Sequence, residues 1–323
     1  ADMKYLIPAA LALLATSAQA QDLVVQLRGP DLAANAGYLL AEARGLYAQS
    51  EVTLLPASGA PAFESLARGQ AALAVEWMPT ALVARENGLP VVNIGQVFGR
   101  PSLRLACRTD AGVTDAGQLR GKSVANWFSG TEFPLAGWLN RAQVPTDAVT
   151  LVPQGDGAEM LRQKQADCVS ARSFAVTGLE GATLLDPTTL NAATLEDGIY
   201  ALDGSLTDPA MQERMARFLR ASMEGWRAAA ADPEGTARLL LGPDPDPGAL
   251  QRLSAELGGI PAILASGALE DAAYRRTVET LRAGGATAVL KHSPENAFTH
   301  EISDMAMAPA PGTDATAAAR PRP

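Results

Sequence analysis

The residues of this chain best suited to hold another molecule are concentrated in Asn126-Trp127-Phe128-Ser129-Gly130-Thr131-Glu132-Phe133-Pro134. A hydroxyl at Thr131, a turn through Gly130 and a Pro just inside the following segment form a helix start signal. The first amides of such a helix have no partner within it, so they can donate to a ligand acceptor. Trp127, Phe128 and Phe133 beside those polar groups fit a flat, partly aromatic molecule. An ordinary packing turn with the same aromatics in the core is the alternative, and both readings stand on this stretch alone. Glu132 carries the same duality: an acceptor for heterocycle N–H groups, or a carboxylate placed to favour the helix dipole.

Other candidates lie at turns further along the chain. Asp31 and Asn35 border one turn, Ser58 and Gly59 a second, and Trp77 with Met78 a third. Arg172 follows an apolar run and suits an anionic partner, although a surface Arg would read identically. Tyr200 reads as a packing residue near a hinge. His292, His300, Met305 and Met307 are too dispersed for a metal centre, and neither a Cys/His cluster nor a His pair at helical spacing occurs. No metal or cofactor is expected. No G-x-S-x-G or Walker pattern is present and neither His adjoins a plausible nucleophile, so the chain reads as a binder and not an enzyme.

Bulk properties narrow the classes. The 323 residues suit two lobes, and 47% apolar with 19% charged residues is globular composition. A net charge of −9 argues against nucleic acid, and no basic cluster suits an anionic membrane. Met3-Lys4, the apolar run Leu6–Ala15 and Ala18-Gln19-Ala20 read as a signal peptide over 1–20, predicting export with a mature start at Gln21. Cys107 and Cys168 are the only cysteines; a disulfide and two buried thiols are both open.

Strand and helix patterns alternate from Gln21. Strands are expected at Asp22–Arg28, Val52–Leu55, Ala71–Val75 and Val91–Ile94, with helices at Ala33–Tyr47, Pro61–Arg68 and Pro79–Asn87 between them. A second unit follows, with strands at Leu103–Arg108, Ser123–Asn126, Val149–Val152 and Asp167–Ser170. After Glu196–Leu202 the chain turns helical: Asp208–Ala230, Pro233–Leu241, Pro247–Leu257 and Asp271–Ala283. The alternation predicts an α/β protein of two lobes, each a mainly parallel, doubly wound sheet. Lobe I takes 21–105 plus 198–307, lobe II takes 106–197, and two crossing strands make the hinge. Residues 308–323, rich in Ala and Pro, read as a disordered tail.

Ala36-Gly37-Tyr38, Ala41 and Gly45-Leu46-Tyr47 resemble the opening of periplasmic binding proteins of the thiamine-pyrimidine-precursor type, cousins of the nitrate, sulfonate and taurine binders. Further matches are Val75-Glu76-Trp77-Met78-Pro79, Ala84-Arg85-Glu86-Asn87-Gly88, Gly121-Lys122, Gly130–Pro134, Gln165–Cys168, Leu195–Tyr200 and Pro294–His300. They run in order through nearly the whole mature chain. The resemblance implies a periplasmic, type II-like two-lobe protein that acts as a monomer. It would close on a small ligand and deliver it to the membrane permease of an ABC importer. It implies a pyrimidine thiamine precursor or a flavin-like heterocycle as ligand, with a small oxyanion such as a sulfonate or nitrate as the alternative. It favours Trp77 as a stacking residue and makes Asn126–Pro134 the second lobe's share of the cleft. Two departures flank that cleft: Gly29 where an aromatic is common, and Ala171-Arg172-Ser173-Phe174 where an aromatic and polar run is expected.

Overall fold

The computed structural model describes residues 22–48, 50–57 and 61–309. The expected signal peptide, Ser58, Gly59 and the expected tail beyond Pro309 lie outside the described residues. The first unit runs β1 (Leu23–Gln26), α1 (Leu32–Ala43), β2 (Val52–Leu55), α2 (Ala62–Ala67), β3 (Leu73–Trp77), α3 (Met78–Glu86) and β4 (Val91–Phe98). The second holds β5 (Leu103–Cys107), β6 (Ser123–Asn126), α4 (Glu132–Arg141), β7 (Thr150–Pro153), α5 (Gly157–Arg162), β8 (Cys168–Arg172) and β9 (Thr183–Leu185). The chain then returns through β10 (Asp197–Leu202), α6 (Pro209–Ala231), α7 (Pro233–Leu241), α8 (Pro247–Gly259), β11 (Leu264–Gly267), α9 (Asp271–Arg282) and α10 (Glu301–Met307). Helices α6, α7 and α8 each start on an Asp whose side chain accepts an amide of the first turn, followed by a Pro at the first helical position.

The strands form two sheets, ordered β11-β4-β10-β3-β1-β2 and β7-β6-β8-β5-β9. The α/β two-lobe architecture is the expected one, with one refinement to its pairing. In each sheet four strands run the same way, but β10 lies antiparallel between β3 and β4, and β5 lies antiparallel between β8 and β9. Hydrogen-bonded parallel pairs are therefore confined to β1 with β2 and β3, and to β6 with β7 and β8. The cause is the hinge. A strand arriving from the other lobe enters its sheet at the edge where the parallel strands end, so it must run against them. β9 and β11 are short strands at the sheet edges that the sequence pattern does not mark.

The main core lies between the first sheet and helices α1 and α6, where Tyr38, Phe218 and Trp226 are fully buried. Tyr38 meets Trp226 edge-on at 5.6 Å between ring centroids. Gly37 makes that approach feasible, since a Cβ there would sit 2.2 Å from the Trp226 ring. The second core gathers Leu105, Leu119, Leu135 and Trp138 around Cys107 and Cys168. Those cysteines face each other across the β5–β8 pair and form a disulfide, which resolves the alternative left open above.

The lobes also touch away from the crossing segments. Asn140 at the end of α4 donates to the carbonyls of Ala283 and Thr287, just beyond α9, and accepts from Thr287 Oγ1. α9 packs on α3 as well, through Met78, Leu82, Ala273 and Leu281. Among the described residues, no helix is long and apolar enough to cross a membrane.

Candidate functional site

Four strands end at one cleft. Arg28 and Gly29 follow β1, Trp77 closes β3, Trp127 follows β6, and Arg172 closes β8. This is the carboxyl edge of both sheets, the standard position for ligands in α/β folds. An inner cavity of about 420 Å³ is bounded by these residues with Asp31, Glu76, Phe128 and Ser129. A wider opening of about 940 Å³ adjoins it, sharing Asp31, Trp127 and Arg172, and reaches Gln154 and Asp156 on one lobe and Gln251 and Arg252 of α8 on the other.

The turn after β6 is shaped by its own side chains. Asn126 Oδ1 accepts from Phe128 N at 2.7 Å and from Thr131 Oγ1 at 2.8 Å, with Asn126 and Thr131 both buried. Phe128, Ser129 and Gly130 have φ of 58°, 54° and 102°, three consecutive left-handed residues. Two of them carry side chains, so the turn holds a conformation that costs free energy, of the kind seen where geometry serves a site. Its effect is to leave Trp127 38% exposed at the cleft. Glu132 folds back to accept from Gly130 N at 2.8 Å, so its carboxylate satisfies the turn it follows. Gly130 packs so closely on Thr80 of α3 that a Cβ would lie 2.1 Å from Thr80 Oγ1.

Both arginines of the inner cavity are paired with carboxylates. Arg28 Nε contacts Glu76 Oε1 at 2.5 Å, and the same oxygen accepts from Trp77 N at 2.8 Å. Burial raises the Glu76 carboxyl above its ordinary range, against the opposing pull of Arg28. Arg172 reaches Asp197 at 2.5 Å and Glu196 at 3.4 Å, and its Nε donates to Ser102 Oγ at 3.1 Å. Burial alone would favour a neutral guanidinium, but Asp197 and then Glu196 hold it charged and raise its pKa. Both guanidiniums lie over the Trp77 ring, at 4.6 Å for Arg28 and 5.3 Å for Arg172.

Of the expected site residues, Asp31, Trp77, Trp127, Ser129 and Arg172 are brought to the inner cavity. Ser58 and Gly59 lie outside the described residues, and the other expected residues are not part of its wall. Asn35 donates to the carbonyls of Arg28, Gly29 and Asp31 and shapes the first turn from behind. Met78 is buried in the apolar cluster under α3. Asn126, Gly130, Thr131 and Glu132 build the turn that presents Trp127, and Phe133 is half-buried on α4. Trp77 is only 1% exposed beneath the two arginines, which leaves Trp127 as the most exposed ring of the wall, with half-buried Phe128 beside it. Arg28 and Glu76 were missed by sequence reasoning. A charged residue ending an apolar strand was the available signal for Arg28, and its position beside Trp77 that for Glu76. His300 pairs with Asp271 and His292 with Glu86, and no metal-holding group of three or more His, Cys, Asp or Glu occurs among the described residues.

Residues 33–236 match the family described as NMT1/THI5 like. The chain belongs to the NMT1/THI5-like family. No curated protein matches this NMT1/THI5-like chain by sequence. Among solved structures it is similar to the alkanesulfonate-binding protein SsuA from Xanthomonas axonopodis pv. citri bound to MOPS, with 16% identity, a TM-score of 0.62, and 90% of this chain and 99% of that one covered. It is also similar to a Candida albicans gene product with the generic periplasmic binding protein structural fold, at 14% identity and TM-score 0.61, covering 88% and 94%. The desulfurization enzyme DSZB shares the fold too, at 12% identity and TM-score 0.55, covering 88% and 99%. The NMT1/THI5-like chain therefore has the periplasmic-binding-protein fold, a scaffold on which both binders and an enzyme occur.

Proposed function

We propose that this protein is an exported solute-binding component of an ABC importer. It captures a small aromatic heterocycle, a pyrimidine or flavin-like compound, between its lobes and hands it on chemically unchanged to a membrane permease. Family membership and the fold support a binding role, and the N-terminal sequence pattern supports export.

The observation that carries the ligand class is the pairing of both arginines of the inner cavity. Arg28 is matched by Glu76, and Arg172 by Glu196 and Asp197. Asp31 adds a further carboxylate to the wall. An incoming oxyanion would meet no uncompensated positive charge there, and would have to displace a buried carboxylate to gain one. An uncharged or cationic ring, in contrast, can lie on exposed Trp127 and donate to Asp31 or to the carbonyls of the turns. A second reading, a sulfonate or similar oxyanion, draws on two guanidiniums in one cleft and on the ligand named for the Xanthomonas protein. A thermal-shift screen with aminopyrimidines, flavins, alkanesulfonates and nitrate separates the two, because a ligand that binds only the folded form raises Tm. Heterocycles are expected to raise it; a shift with oxyanions alone would overturn the heterocycle assignment.

A further inference from the structure

A separate cavity of about 970 Å³ lies against the hinge and shares no wall residue with the ligand cleft. Its walls come from both crossing segments, around Arg100 and around Asn191 to Leu195, and from β11 and α9. Its volume is at the upper end of the range for small-molecule sites. One side is apolar, with Ile263, Leu264 and Ala273.

Three arginines give the other side its character. Arg104 is fixed: Nη1 donates to the Leu103 carbonyl at 2.8 Å, and Nη2 meets Asp186 at 3.0 Å. That pair joins β5 to the residue that follows β9 within the second sheet. Arg100 and Arg276 are exposed, and neither guanidinium has a hydrogen bond or ion pair with another described residue. Against the three guanidiniums stand two carboxylates, Asp186 and Glu270, and Arg104 already engages the first. The wall is therefore locally positive in a chain of net charge −9. Screening confines the influence of the distant acidic residues to about 8–10 Å at ordinary salt.

We propose that this cavity is a second binding site, for a small organic anion whose carboxylate or phosphate group is held by Arg100 and Arg276 while its apolar body rests on Ile263 and Leu264. Free guanidiniums are the groups best fitted to take such an oxyanion through paired N–H donors. This contrasts with the inner cavity of the ligand cleft, where Arg28 and Arg172 are already matched by carboxylates. Because the walls include both crossing segments, the occupant would contact the parts that turn when the lobes move.

The test is calorimetric titration of phenyl phosphate, and in parallel benzoate, into the full mature chain, its Arg100→Ala/Arg276→Ala variant and its Trp127→Ala variant. Both arginines are exposed, so the double variant should keep the wild-type Tm and circular dichroism. Saturable binding is expected in the wild type, undiminished in Trp127→Ala and weakened about tenfold or more in the double variant, as befits loss of charge-assisted hydrogen bonds. Comparing the two probes tells whether phosphate or carboxylate is preferred. Absence of heat with both probes at millimolar concentration overturns the proposal. Equal affinity in the double variant overturns it too, as does loss of binding in Trp127→Ala, which would put the probe in the ligand cleft.

Discussion

Arg172, the last residue of β8, and Asp197, the first of β10, meet at 2.5 Å inside the hinge, both almost fully buried. Arg172 belongs to the second sheet and Asp197 to the first, so the contact joins the lobes where the returning segment enters its sheet. Glu196 extends it, accepting from the backbone N–H of Ser102 and of Leu103 on the outgoing segment at 2.8 and 2.6 Å. The candidate cleft and the hinge therefore share one guanidinium.

Arg172→Ala would leave Glu196 and Asp197 buried without their cation. Breaking a buried pair from one side costs about 3–5 kcal/mol, and urea unfolding of the variant should show a loss of that size with an unchanged m-value. A loss no larger than that of an exposed ion pair would mean that the hinge network contributes no net stability.

Trp127→Ala removes the exposed ring but touches no buried contact of the turn, whose bonds run through Asn126 and Thr131. Tm should stay at the wild-type value. Affinity for the heterocycle found by the screen should fall about tenfold or more, the scale of a lost aromatic contact. Unchanged affinity by calorimetry would remove Trp127 from the site.

The disulfide closes a loop of 61 residues. Chain-entropy reasoning gives about 4 kcal/mol for a loop of that length. Cys107→Ser/Cys168→Ser should lose about that amount in urea, and dithiothreitol should destabilise the wild type but not the variant.

Glu256, half-buried on α8, has its carboxyl raised from 4.5 to about 7, by burial first and by Asp31 second. Between those values the folded chain binds more protons than the unfolded one, so stability must fall as pH rises through that window. Glu256→Gln cannot ionise. It should remove about 1 kcal/mol of the fall, a figure reduced for the solvent that reaches a half-exposed group. Urea midpoints at about pH 5 and pH 8 check the sign, the variant being the more stable only at the higher pH. Glu76 and Glu196 are shifted upward by burial as well, so the variant keeps part of the slope.

Gly130→Ala would meet Thr80 and also force a side chain into φ of 102°. The turn should shift, destabilising the chain by more than the roughly 1 kcal/mol by which a Gly-to-Ala change stabilises at a compatible site. Trp127 fluorescence should report the altered exposure; an unmoved spectrum and Tm would show that the turn tolerates a Cβ.

The chain by itself determined the kinds of element and their order, because helix and strand periods, Asp-Pro starts and glycine stops act over a few residues. It also marked the edge at which a ligand would sit, since Asp31, Trp77, Trp127 and Arg172 all stand at or just beyond the ends of apolar strands. Only the tertiary structure decided what those side chains do there. The antiparallel insertion of β10 depends on which lobe the returning strand comes from, a relationship spanning about a hundred residues that no local pattern encodes. The same return brings Glu196 and Asp197 against Arg172 and turns an apparently free cation into a buried, neutralised one. Trp77 follows suit: its type suggested an accessible ring, but two guanidiniums from separate strands cover it and pass that role to Trp127. Burial and charge pairing are set by partners remote in sequence, which is why position was legible from the residues and electrostatic character was not.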